Sequence, residues 1–262
     1  MKKTFHFLSG LPRTGSTVIS SILNQNPKVF VTQTSPLLGL LLHNQDSFHK
    51  LEEVIANPIP EQLTNISRAM IDAAWEHRSE DIIIDKHRGW GKNMNASTIV
   101  FGQEIKIVAT VRDLPSIMAS WLTLIHKYPH NFDKNLIKKG YQPTDENRMG
   151  EMWFNMTRDC MESVVMAKKT ASNRLLLIDY DDFVNDPKNE ISRIENFLEL
   201  PKYQYDFENI KEEKSDDMMA WGFPDLHKIR SKVGKTSKSA REILGDELYN
   251  RFVEIEKQYE YR

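Results

Sequence analysis

Phe5-His6-Phe7-Leu8-Ser9-Gly10-Leu11-Pro12-Arg13-Thr14-Gly15-Ser16-Thr17 decides the reading of this chain. Residues 5–8 make a short apolar run of strand length, and the glycines and proline of 10–15 break it sharply. Residues 16–24 then carry Val18, Ile19, Ile22 and Leu23 at helical spacing. Asn26-Pro27 ends that helix, because proline disfavours helical geometry in the residue before it. A strand, a glycine loop and a helix in this order form an anion cradle. Backbone N–H groups converge at the helix N-terminus, where the helix dipole favours negative charge. Glycine lets the backbone approach a phosphate closely, and Ser16 and Thr17 add hydroxyl donors.

Outward from this unit, the pattern alternates. Residues 61–77 predict a helix with Leu63, Ile66, Met70, Ala74 and His77 on one face. Residues 81–84 and 105–111 predict two buried strands rich in β-branched side chains, with a short helix and turn over 93–102 between them. Further helices are expected over 116–128, 145–169 and 191–200, and a strand over 174–178. The 145–169 helix has Met149, Trp153, Met156, Cys160, Val164 and Ala167 as its buried stripe. A last helix follows Ser239, where Ser239 and Glu242 match a capping box. Strands alternating with helices imply an α/β fold, helices layered on a central parallel sheet with right-handed crossovers. No repeat or low-complexity linker divides the chain, so residues 1–262 are expected to form a single domain. Residues 125–146 and 201–238 read as lids or binding loops.

Composition narrows the function. With 40% hydrophobic and 27% charged residues the chain is of ordinary globular type. A formal charge of −2 argues against bulk nucleic-acid binding, which needs dense positive charge. The first apolar run is too short for a bilayer span or a signal-peptide core, and the one cysteine, Cys160, fits a reducing compartment; a cytoplasmic protein is expected. Charge is nevertheless uneven. Six Lys or Arg residues fall within 228–241, after an acidic 208–217 segment.

A second anion motif is Ile107-Val108-Ala109-Thr110-Val111-Arg112-Asp113-Leu114-Pro115-Ser116. A buried strand ends at an arginine, whose guanidinium can fork onto a phosphate. The chain then turns into a helix that carries Ser116 and Ser120 on one face, Ser120 eight residues after Arg112. In isolation this could be a surface arginine with two solvent-facing serines. The strand–turn–helix context it shares with the first motif favours a phosphate site.

The first loop has the glycine spacing of G-x-x-x-x-G-K-[ST], but Ser16 stands where that motif has its lysine. A nucleotide hydrolase lacking the lysine loses its main contact to the β- and γ-phosphates. Residues 8–17 instead resemble the 5′-phosphosulfate loop of sulfotransferases that use 3′-phosphoadenosine 5′-phosphosulfate (PAPS). The resemblance implies a three-layer α/β/α fold with a P-loop-like phosphate-binding loop. It also implies sulfonate transfer from PAPS to a hydroxyl or amine of a small-molecule, glycan or lipid acceptor, with no metal. Arg13 takes the place of the basic residue that touches the leaving group; common cytosolic members have lysine there, so Arg13 fits a bacterial or Golgi-type relative. Thr14, Gly15, Ser16 and Thr17 would cradle the 5′-end. Arg112 and Ser120 are similar to the family's 3′-phosphate pair. The Leu175-Leu176-Leu177-Ile178-Asp179-Tyr180-Asp181-Asp182-Phe183 segment, with Tyr180, resembles a strand and turn that support the nucleotide. Arg230, Lys232 and Lys235 resemble a basic loop that closes over it.

Displacement at sulfur needs a base for the acceptor's proton. Asp85-Lys86-His87-Arg88-Gly89-Trp90 at a strand end offers two candidates. His87 precedes Arg112 by 25 residues, close to the family separation of a catalytic histidine, and an ordinary histidine titrates near neutrality. Asp85 is the alternative, with Lys86 and Arg88 holding donor or acceptor. His126 and His130 are separated by Pro129 and do not read as metal ligands, and Cys160 reads as core. A P-loop kinase or NTPase, with Asp85 as a magnesium-holding carboxylate, is the competing reading, and a non-catalytic nucleotide binder is a third.

Overall fold

The computed structural model describes residues 3–211, 222–224, 226–229, 231–234 and 238–262. Five parallel strands form one sheet in the order β2-β3-β1-β4-β5, namely Val29–Val31 (β2), Ile82–Lys86 (β3), Thr4–Gly10 (β1), Ile107–Val111 (β4) and Leu175–Asp179 (β5). The central strands are buried on both sides, which is why β1 and β4 are nearly continuous apolar runs rather than alternating ones.

One face of the sheet carries α1 (Ser16–Leu23), α10 (Tyr180–Asn185) and α11 (Pro187–Leu198). They pack Ile19, Ile22, Phe183, Ile191 and Ile194 against Leu8, Ile84, Val108 and Ile178. The other face carries α6 (Leu114–Lys127), α9 (Arg158–Ala171) and α12 (Ala240–Glu256, bent at Gly245) on Ala109 and Val111. Toward the β3 side of that face, Phe7 stacks on Trp90 with centroids 3.7 Å apart, and Phe101 meets both rings edge-on. Such aromatic pairs contribute about 0.5–1.5 kcal/mol each beyond their buried area.

Every predicted strand is present, every predicted helix but that over 145–169 is found as a single element, and Ser239 caps α12 with Glu242 in the expected reciprocal box. Four expectations are corrected. The predicted face of α4 (Pro60–Trp75) is displaced: Ser67, Ile71 and Trp75 are the buried residues, with Trp75 tilted against Phe30, while Ile66 is exposed. The 145–169 helix is not continuous. It runs as α8 (Asp145–Met152), a π-turn at Trp153–Thr157, and α9. The extra residue in a π-turn rotates the stripe, so Met156 is 41% exposed while Met149, Trp153, Cys160, Val164 and Ala167 remain buried.

Residues 125–146 are not a loose lid either. They contain α7 (Pro129–Lys138), fastened where Arg148 forks onto Asp133 at 2.9 and 2.6 Å and reaches Asp145, which His126 also meets at 2.8 Å. Planar two-point ion pairs of this kind are the strong ones. Finally, the edge strand β2 and the helices α2 (Leu37–Phe48) and α3 (Glu52–Ala56) were not predicted. Three residues of strand carry no readable period, and α2 leaves Leu40 and Leu42 exposed, which blurs its amphipathic pattern.

Candidate active site

The strand order reverses around β1, whose neighbours are β3 and β4, and α/β ligands bind beyond the strand ends at such a switch point. Both anion motifs are there. Gly10 and Thr110 pair at the C-terminal ends of β1 and β4. Gly10 has φ 110°, and a Cβ on it would lie 2.2 Å from the Thr110 carbonyl oxygen, so only glycine permits this approach. The Thr14 hydroxyl, fully buried, donates to the Leu11 carbonyl at 2.7 Å and lies 2.6 Å from the Thr110 hydroxyl. Thr14 therefore locks the loop to β4, leaving its backbone rather than its hydroxyl for a ligand. Arg13 (φ 62°) and Gly15 (φ 79°) both adopt left-handed backbone. For arginine that is a sparsely populated conformation, of the kind that gathers at binding loops. α1 starts without a side-chain cap, so Ser16, Thr17 and Gly15 surround N–H groups with no intrahelical partner.

The Arg13 side chain crosses toward α6. Its Nε donates to Ser120 Oγ at 3.0 Å, Nη1 donates to the Leu226 carbonyl at 2.7 Å, and the guanidinium lies over Trp121. Burial, followed by the nearby charge of Arg88, pulls its pKa down to about 10. Arg112 lies flat on Tyr180, 4.2 Å from the ring centroid, and its Nε is buried with no hydrogen-bond partner. The same Tyr180 ring faces Gly15, where a Cβ would lie 3.3 Å from Cδ2. One aromatic plane thus joins the two motifs. Asp113 caps α6 by accepting from the Ser116 N–H at 2.8 Å. Among the described residues, no carboxylate forms an ion pair with Arg13, Arg88 or Arg112.

The end of β3 is built differently. Asp85 is fully buried, and its two oxygens accept from Trp90 Nε1 at 2.8 Å and Ser35 Oγ at 2.5 Å. Burial pushes its pKa up to about 6, against those two hydrogen bonds. Lys86 faces the opposite side and reaches the Thr17 hydroxyl at 3.4 Å. His87 is half-buried and caps the following 3₁₀ turn, Arg88–Asn93, its Nδ1 accepting from the Gly89 N–H at 3.1 Å. Burial and then the charge of Arg88 hold His87 below its ordinary pKa, so it is neutral at pH 7. With Nδ1 accepting, the neutral ring carries its proton on Nε2.

Of the basic loop, Arg230 and Lys235 lie outside the described residues, and Lys232 pairs with Glu208 on the surface. Sequence reasoning missed Ser35, Thr110, Leu226 and Tyr261. Tyr261, near the end of the chain, is buried and places its hydroxyl 2.9 Å from the Arg112 carbonyl. Thr110 lies inside the second motif but had no role assigned to it, and the other three carried no local signal, because each becomes part of the site only through packing.

Two arginine-bearing strand–turn–helix motifs, the first of them glycine-rich, thus meet at the switch point of a parallel sheet on a P-loop-like α/β fold. Residues 7–205 match the sulfotransferase family, and the chain belongs to that family. It is a sulfotransferase. Solved structures of similar fold include the sulfotransferase domain from the curacin biosynthetic pathway, 14% identical with a TM-score of 0.58 over 100% of this chain and 99% of that one. Sulfotransferase STF9 from Mycobacterium avium is 14% identical, with a TM-score of 0.54 over 100% of this chain and 78% of that one. Mouse sulfotransferase SULT7A1, complexed with PAP, is 12% identical, with a TM-score of 0.52 over 99% and 85%. No curated protein matches the chain. The phosphotransferase alternative finds no support among these relatives. Among the described residues, no helix is long and apolar enough to cross a membrane.

Proposed function

We propose that the chain transfers a sulfonate from PAPS to a hydroxyl or amine of a small-molecule, glycan or lipid acceptor, working in the cytoplasm as one domain over residues 1–262. The observation that carries the donor is the pair of guanidinium groups, Arg13 and Arg112, with no carboxylate partner among the described residues, at adjacent strand ends and bridged by Tyr180. Burying such charge is costly until an anion compensates it. A donor with a phosphate at one end and a phosphosulfate at the other supplies both anions. In this reading the loop N–H groups of 14–17 and Arg13 hold the 5′-end, and Arg112 and Ser120 hold the 3′-phosphate. The resemblance assigns Arg230, Lys232 and Lys235 to the nucleotide side, which Lys232 reaches only on leaving Glu208.

The acceptor oxygen or nitrogen attacks sulfur, the bond from sulfur to the bridging oxygen breaks, and that oxygen leaves with the electron pair on the 5′-phosphate. Arg13 offsets the charge developing there. The acceptor's proton goes to His87 rather than Asp85, because both Asp85 oxygens are already engaged in the core and His87 is neutral and partly exposed. To accept at Nε2 the ring must release the Gly89 N–H, moving its own proton to Nδ1. Asp85 instead fixes the strand end through Ser35 and Trp90. Calorimetric titration tests the donor reading: adenosine 3′,5′-bisphosphate (PAP) should bind far more tightly than ATP, and equal affinities overturn it.

A further inference from the structure

Arg88 is a third guanidinium that the donor reading does not use. Its carbonyl is gripped twice, by Ser9 Oγ at 2.9 Å and by Ser163 Oγ at 2.8 Å, between β1 and α9. Gly91 fixes the turn further: a Cβ there would lie 2.2 Å from the Ser163 carbonyl oxygen. The backbone of Arg88 is therefore rigid, while its side chain is poorly compensated. Nη1 is buried with no hydrogen-bond partner, and no described carboxylate pairs with the group. Beside it lies the thiol of Cys160, a weak acceptor that burial keeps protonated. A guanidinium enclosed this way, within reach of other arginines, is an anion site awaiting its anion.

Its place in the fold says which anion. In the PAPS reading the two ends of the donor lie over β1 and β4, held by Arg13, Arg112 and the loop N–H groups, with Lys86 reaching across from β3 to Thr17. Arg88 follows β3, on the other side of β1, and is the residue next to His87. Leu38 of α2 closes over the same turn, its Cδ2 3.0 Å from a Cβ placed on Gly89. With the donor assigned to β1 and β4, the β3 side is the one left for an acceptor that meets His87. We propose that Arg88 receives an oxyanion carried by the acceptor itself, a carboxylate, phosphate or sulfate near its reactive hydroxyl or amine. This rests on the PAPS reading above and narrows the acceptor to an acidic class.

The experiment titrates benzoate and inorganic sulfate, as probe anions, into the protein saturated first with PAP and then with PAPS, without acceptor. Wild type should bind one further anion in both complexes. Arg88→Met should weaken that binding about tenfold or more, as expected for a lost charged hydrogen bond. Arg88→Lys, which keeps the charge, should lose less, and both variants should keep PAP affinity within about twofold of wild type if the donor contacts are untouched. Failure of wild type to bind PAP or PAPS breaks the underlying reading. With both nucleotides bound, absence of a further anion, or its retention in Arg88→Met, overturns the Arg88 site alone. Displacement of the probe by PAPS but not PAP assigns Arg88 to the donor's sulfonate and overturns the proposal equally. So does a parallel loss of PAP affinity in Arg88→Met.

Discussion

The ends of β1 and β4 hold their ligand-facing groups uncompensated, whereas the end of β3 buries its carboxylate in a satisfied network. Arg13 and Arg112 keep their charge available by lying on Trp121 and Tyr180 rather than on carboxylates. Asp85 is saturated by Ser35 and Trp90. The difference separates two tasks that look alike in sequence, since both stretches are strand ends rich in charge. In the proposed function one side receives the nucleotide and the other forms the wall that the acceptor meets.

This contrast can be broken in order of effect. The largest change is expected from His87→Ala, which should lower the transfer rate by about 10²–10⁴-fold with PAP affinity nearly unchanged. A radiolabelled-donor assay with an acceptor found in a screen of sugars, lipids, phenols and amines measures it. If Asp85→Asn instead abolished transfer while the protein stayed folded, the roles assigned at β3 would be reversed.

Next come Arg13→Ala and Arg112→Ala, each expected to cost about 1.5–3 kcal/mol of PAP binding, the range for hydrogen bonds to charged groups. Calorimetry reads both. Thr14→Val should destabilise the fold by about 1–3 kcal/mol, because the Leu11 carbonyl loses its side-chain donor and the buried Thr110 hydroxyl keeps only its long contact to the Ser9 carbonyl. Denaturant midpoints report that loss, and PAP affinity should fall less than in Arg112→Ala. Tyr261→Phe removes the hydroxyl beneath Arg112 and should cost about 0.5–1.5 kcal/mol of stability.

The smallest expected effect is a cancellation in pH dependence. Burial holds His6, on β1, down at about 4, so the unfolded chain binds its proton first as pH falls below the ordinary value of 6.5. His6 therefore contributes stability above pH 6.5 that is lost as pH falls through 4. Asp85 has the opposite sign: its pKa is raised from 3.8 to about 6, so its contribution is complete below pH 3.8 and is lost as pH rises through 6. The two slopes oppose each other between pH 4 and 6. His6→Asn should expose the Asp85 slope, with stability falling as pH rises across that window, followed by denaturant melts at several pH values.

Much of the donor half was legible because its information is local. A strand, a glycine pair and a helix start lie within the thirteen residues from Phe5 to Thr17, and Arg112 and Ser120 lie eight residues apart, one between β4 and the cap of α6 and the other inside α6. The β3 side was not, because its partners come from far along the chain. Ser35 reaches Asp85 across fifty residues, and Ser163 reaches Arg88 across seventy-five. Periodicity also failed where the backbone departed from it: the π-turn moved Met156 out of the stripe that spacing assigned it. The α7 segment looked like a loop because its apolar face is small, Phe132 and Leu136 with Ile137 left exposed, and much of its hold is ionic, through Arg148 and Asp133.

The bonds from Arg13 to Ser120 and to the Leu226 carbonyl orient its guanidinium without exhausting it. Two of its five N–H donors are spent on holding the plane in place, and three are left for an anion. The phosphate loop is thereby tied to main chain more than two hundred residues further on, so the set of its one cation depends on a distant segment.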